Sequence, residues 1–293
     1  MVNPLLQNYV LQKMDQPTVI LSCRILIYNH MIHGMDATMS KTEIETEFNQ
    51  VHQQYGIATF RRDYVLRQCG HDENGITQTD NMFHIRPEFL TGMSRDDYVQ
   101  ILQTIDDHWG TFQSQQEQII TEIKTLLGSN DYSAQKQYVA DMMTSREAIK
   151  RGQAFEVASF SVLHTYLASL GFTLNRYSTT YSNDGGIDFV AQNAVYQVTT
   201  KLSERKFDED IKKVPGKPRV LIYKDLVRDF NTENFNHELV SNYLGKDELC
   251  DLLSYLYRKN ARKYLPEVLA IMLQEFMREF YQNEEKPPDQ ILI

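Results

Sequence analysis

The chain has 293 residues, 42% of them hydrophobic and 24% charged, which excludes a disordered or fibrous protein and leaves room for two domains. Three scattered cysteines, Cys23, Cys69 and Cys250, with no CxxC pair, exclude a disulfide scaffold and a cysteine zinc site and suggest a reducing, cytoplasmic setting. A net charge of −9 argues against a nucleic-acid partner, but its distribution does not: between Arg146 and Lys224 twelve basic residues face eight acidic ones, net +4, against −13 elsewhere.

Residues 17–33 read as a helix with Pro17 in its first turn and Gly34 closing it, although the β-branched start also allows a strand. This apolar stretch is broken by Arg24, Asn29 and His30 and is too short to cross a bilayer, so a soluble protein without a membrane partner is expected. His30 and His33 are spaced as a possible metal pair, but without a third ligand they read better as surface or core histidines. Ser40-Lys41-Thr42-Glu43 is a capping-box pattern opening a second helix that buries Ile44 and Phe48. Thr59 caps a third, FRRDYVLRQCG, which Gly70 stops. The run ITQTDNMFHIRP then reads as two short strands with a turn near residues 79–81.

Three short helices followed by a hairpin resemble a winged helix-turn-helix, whose third helix would enter a major groove. Arg61, Arg62 and Arg67 lie on that helix and Arg86 ends the wing, and arginine suits both guanine edges and phosphates. A helical dimerisation module with solvated arginines is the alternative. Residues 90–110 and 111–128 read as two further helices, the first capped at Ser94, and residues 130–143 as a short helix or linker. The expected division is a DNA-recognition region over 1–143 and a catalytic domain over 144–293.

The second region opens with a cap at Thr144 and a helix running to Leu170, with Gly171 as its stop. Strands are expected at 173–177, 187–191, 194–200 and 219–223, with a turn at Asn183-Asp184-Gly185-Gly186 and a charged helix from Ser203 to about Val214. From Asn231 onward the pattern reads as three helices, the first ending at Leu244, the second running to Arg258 and the third starting at Leu265. The fold class is therefore α+β: a helical winged-helix-like domain, then an α/β core with a mixed sheet and C-terminal helices.

If Gln192 and Asn193 form the turn, Asp188 faces Gln197 directly, with side chains about 4.5–5.5 Å apart. Alternation puts Gln197, Thr199 and Lys201 on one face of the strand. A carboxylate and a carboxamide so close are fitting ligands for a hard cation such as Mg²⁺. With the helix segment RGQAFE, carrying Glu156, and the strands GGID and YQVTTK, residues 144–224 resemble the PD-(D/E)XK, or restriction-endonuclease-like, nuclease superfamily. The resemblance implies Asp188 as principal metal ligand, Glu156 as a helper, Gln197 as the second ligand that many members carry in place of an acid, and a lysine that orients water. That lysine belongs at Thr199, and Lys201, about 6.6 Å further along the strand, is taken as its displaced equivalent, with Lys150 or Arg151, before Glu156, as other sources of the positive charge.

The expected function is a Mg²⁺-dependent, site-specific endonuclease for double-stranded DNA, working as a homodimer, with a DNA methyltransferase as companion. Two alternatives accompany it: a methylcytosine-directed restriction endonuclease, and a DNA-binding regulator whose nuclease fold no longer cuts. Each residue also has a plainer use, Asp188 as a turn cap and Glu156 as a solvated helix acid.

Overall fold

The computed structural model describes residues 2–14, 16–51, 65–66, 69, 74–145, 153–176, 187–191, 194–204, 207, 218–227 and 240–281. They form two compact units, Met1–Gln116 with Phe280–Ile293, and Glu117–Glu279. The helix at 132–144 packs on the helix at 153–168 within the second unit.

The first unit is built around α2 (Pro17–His33), in which Ile20, Leu21, Cys23, Leu26 and Ile27 are fully buried. Its apolar residues surround the axis, as expected of a helix enclosed by its neighbours. Helix α1 (Pro4–Lys13) starts at Asn3, whose Oδ1 accepts the Leu5 N–H at 2.9 Å while its Nδ2 donates to the carbonyls of Glu88 and Thr91. Strand β1 (Met39–Ser40) leads into α3 (Lys41–Val51) through the expected capping box: Ser40 N–H donates to Glu43 at 2.7 Å, and Glu43 N–H donates to Ser40 Oγ at 3.3 Å. These bonds to the charged form lower the Glu43 carboxyl pKa.

Strands β2 (Ile76–Thr79) and β3 (Met82–Ile85) form a hairpin whose turn residues Asp80 and Asn81 both take positive φ, 49° and 64°. That is the turn chemistry two-residue hairpins favour. The antiparallel sheet has the order β1-β3-β2. His30, at the heart of this unit, is 1% exposed. Its Nε2 accepts the Ile85 N–H at 3.1 Å and its Nδ1 lies 3.1 Å from the Gly34 carbonyl, which fixes a neutral ring with the proton on Nδ1. His30 is thus a core histidine.

Burial lowers the His30 pKa. The unfolded chain therefore binds more protons than the folded one as pH falls below about 6.5. The stabilisation is full above that value and is lost on descent through the folded pKa. A thermal melt followed by Trp109 fluorescence should show a lower Tm at about pH 5 than at about pH 8, and equal values would contradict it.

A short helix, α4 (Pro87–Leu90), precedes α5 (Arg95–Leu127), a single helix of 33 residues. The break expected at Gly110 does not occur. A mid-helix glycine costs about 1 kcal/mol relative to alanine, which packing along such a long helix overrides. A Cβ added at Gly110 meets no atom within 4 Å, so Gly110→Ala should stabilise the protein by about 0.5–1 kcal/mol in a urea titration.

In the second unit α6 (Tyr132–Thr144) starts at Asp131, whose Oδ1 accepts the N–H groups of Ser133 and Ala134. Helix α7 (Gln153–Ala168) is buried nearly all round, and Gly171, at φ 88°, closes the chain after it as expected. The five-stranded sheet runs β4 (Leu174–Arg176), β5 (Phe189–Ala191), β6 (Ala194–Leu202), β7 (Arg219–Leu226) and β8 (Val240–Gly245) in spatial order. β4, β5 and β6 pair antiparallel, and β7 and β8 join in parallel. The sheet is mixed, as expected.

Residues 240–244 are a strand rather than the end of a helix. The run Val-Ser-Asn-Tyr-Leu is too short for periodicity to separate the two, and pairing with β7 decides it. Helix α8 (Lys246–Tyr281) is broken at Asn260 (φ −169°, ψ 87°), within the expected gap between Arg258 and Leu265. Among the described residues no helix is long and apolar enough to cross a membrane.

Candidate active site

The β5–β6 hairpin has the register that a two-residue turn requires: Phe189 pairs with Tyr196, Val190 with Val195 and Ala191 with Ala194. Continued by one residue, this register brings Asp188 to Gln197. The backbone departs from it there, since Asp188 N–H donates to the Tyr196 carbonyl at 3.0 Å. The Asp188 Oδ2 then accepts the Val198 N–H at 2.6 Å. The carboxylate therefore lies along β6, beside the Gln197 backbone, and holds the mouth of the hairpin closed. Both the metal-ligand role and the plainer capping role are compatible with this position.

Gln197 is 5% exposed, and its Oε1 lies 3.4 Å from Nη1 of the buried Arg219. It pairs across β7 with Leu221, which clusters with Phe207 and Tyr243. Glu156 belongs to the other side of the sheet. Its helix packs through Phe160 on Phe189, with ring centroids 5.2 Å apart, and cross-strand pairing puts Phe189, Tyr196, Val220 and Arg176 on that face. The expected trio of Glu156, Asp188 and Gln197 thus does not share one face. Strand periodicity gives the phase of Gln197 but not the face on which α7 packs.

Glu156 meets Arg176 at 2.7 Å, and the same guanidinium reaches Glu275 of α8 at 2.8 Å. Arg176 is 1% exposed at its side chain, so this is a buried triad of one cation and two carboxylates. The sequence reading missed Arg176 and two further buried cations, Arg219 and Lys224, the latter donating to the Ser145 carbonyl. Each takes a buried strand position, and a long cation at such a position is the signal that a partner waits there.

Lys201 is exposed near the end of β6, with Asp225 as its neighbour across β7. Asp225 is itself bonded to Lys246 at 2.6 Å. Lys201 shares the Gln197 face by alternation and points to solvent. Arg61, Arg62 and Arg67 lie outside the described residues. Arg86 stands at the start of α4, its side chain only 17% exposed and 3.7 Å from Glu88.

Among the described residues no three His, Cys, Asp or Glu side chains gather closely enough to hold a metal. Of the three expected ligands, Asp188 is the one whose carboxylate lies at the hairpin mouth, where its Oδ2 accepts the Val198 N–H. Glu156 and Gln197 are each engaged by an arginine, so neither is in a ligating arrangement. Burial raises the thiol pKa of Cys23, Cys69 and Cys250, so none of the three is activated as a thiolate by its surroundings. A cavity of about 490 Å³ beside Glu122, Leu126, Tyr138 and Met142 shares no residue with this site. Comparisons with protein-family models, curated proteins and solved structures find no match to this chain.

Proposed function

We propose that the protein is a Mg²⁺-dependent endonuclease for double-stranded DNA, built on a PD-(D/E)XK-like core. The observation that carries the reading is the Asp188 carboxylate at the mouth of an antiparallel hairpin whose second strand pairs in parallel with β7. That helix, hairpin and parallel strand follow the order to which the sequence resemblance points. Mg²⁺ bound at Asp188 would acidify a water and offset charge on the phosphorane.

The chain's own residues have separate tasks in this proposal. Asp188 would hold the cation, and its bond from the Val198 N–H fixes the carboxylate direction. Gln197 and Arg219 keep the strand pair rigid beneath it. Lys201, in place of a lysine at Thr199, contacts a phosphate of the bound strand. Glu156 sets the position of α7 through Arg176, a positioning role in place of the expected ligation.

In the N-terminal unit, the helix–strand–helix order with a β1-β3-β2 sheet supports a winged-helix-like DNA reader. A homodimer is the form that cuts both strands, and a companion methyltransferase would protect the host sequence. A second reading, a DNA-binding regulator that does not cut, draws support from Thr199 and from the engagement of Glu156 by Arg176.

Methylated and unmethylated copies of one supercoiled plasmid, each incubated with Mg²⁺ and with EDTA, separate these readings. Conversion to open or linear circles with Mg²⁺ on unmethylated DNA is the expected result. Cutting of the methylated copy alone would favour the methylcytosine-directed enzyme, and binding without cutting would favour the regulator.

A further inference from the structure

Helix α8 carries a run of cations that the nuclease reading does not use. Arg258, Lys259, Arg262 and Lys263 are all exposed, and between Asp251 and Glu267 the chain has no acidic residue. Among the described residues none of the four meets a carboxylate within ion-pair distance. This concentration of positive charge stands out in a protein of net charge −9.

The helix break organises it. At Asn260 the backbone leaves the helical region, and the Asn260 Oδ1 accepts the Lys263 N–H at 3.2 Å, capping the segment that follows. Arg258 and Lys259 end one segment, Arg262 and Lys263 begin the next, and the positive end of the second segment's dipole adds to their field. Aromatic rings hold the lysines in place. Lys259 Nζ lies 5.5 Å from the Tyr255 ring centre and 5.7 Å from that of Tyr264, and Lys263 lies 5.0 Å from Tyr264. Cation–π contacts of this kind reduce side-chain freedom without neutralising the charge.

The chemistry that fits is a polyanion held from outside by several phosphates. A membrane surface fits less well, because interfacial helices insert a broad apolar face beside their cations, and Tyr255 is the one large exposed apolar side chain of residues 252–266. We propose that Arg258, Lys259, Arg262 and Lys263 form a contact surface for the phosphate backbone of double-stranded DNA. The inference rests on the nuclease reading only in its choice of duplex DNA as ligand. Contacts of this type position the duplex and carry no sequence information.

The test uses the full chain in EDTA, so that binding is read without cutting, with a short fluorescent duplex followed by anisotropy from about 50 to 200 mM salt. The variant Arg258→Gln/Lys259→Gln/Arg262→Gln/Lys263→Gln should bind at least about tenfold more weakly at about 100 mM salt. Its plot of log affinity against log salt should be shallower by about 3 to 4, at roughly 0.9 for each phosphate that the protein no longer neutralises. The milder Arg258→Gln/Arg262→Gln, which leaves the lysine–tyrosine pairs intact, should show about half that change in slope. Lys259→Arg/Lys263→Arg should keep wild-type binding. Affinity and slope unchanged in the fourfold variant would overturn the proposal, as would wild-type binding to phosphatidylserine vesicles but not to DNA. DNA binding that behaves as expected without any cutting in Mg²⁺ would overturn the nuclease reading alone. Cutting with an unchanged salt slope would overturn this surface alone.

Discussion

Replacing Arg176 by methionine should cost about 3–5 kcal/mol of stability, the range for breaking a buried ion pair from one side. The guanidinium is 1% exposed and serves both Glu156, at 15% side-chain exposure, and Glu275, at 8%. Without it two carboxylates share a site with little water, and Arg278, at 3.7 Å from Glu275, is too exposed to replace it. The loss comes from stranded charge more than from the worth of the triad. A triple variant that also carries Glu156→Gln and Glu275→Gln should therefore recover most of it. Urea midpoints at constant m-value check both statements. A loss below about 1 kcal/mol in Arg176→Met would show that α7, β4 and α8 are joined by packing alone.

Asp188→Asn should leave the fold nearly intact and reduce DNA cleavage by at least about a hundredfold, the scale on which removing one transition-state stabiliser acts. The amide oxygen of asparagine can still accept the Val198 N–H, so the hairpin mouth stays closed. What disappears is the negative charge that would hold Mg²⁺. Asp188→Ala should lose both, because the Val198 N–H is then left without its acceptor at a half-buried strand end, at a cost of about 1–3 kcal/mol. Melting temperatures of the two variants, set beside their cleavage rates, separate charge from capping. An Asp188→Asn protein that cuts at the wild-type rate would leave Asp188 as a cap and nothing more.

Local chemistry made much of the fold legible. Ser40 and Glu43 fulfil their reciprocal cap, Gly171 ends its helix at positive φ, and the Phe189–Tyr196 register follows from a two-residue turn. Long-range facts were hidden for physical reasons. Gly110 carries a helix signal and a stop signal at once, and only tertiary packing chooses between them. Val240 to Leu244 is too short a run for periodicity to speak, so the parallel neighbour decides. The candidate site is legible in the same uneven way. Asp188 and Gln197 are brought to adjacent positions by local rules, whereas the face that Glu156 overlooks depends on how α7 crosses the sheet. Arg176 finds Glu275 ninety-nine residues away, a pairing no local pattern announces.

The most direct test of a cutting site at Asp188 is one plasmid assay. Wild type and Asp188→Asn are incubated side by side with supercoiled DNA in Mg²⁺, and the loss of supercoiled circles is followed over time. The account predicts open and linear circles with the wild type and almost none with Asp188→Asn. Equal conversion by the two proteins, or none by the wild type on DNA that it binds, would contradict it.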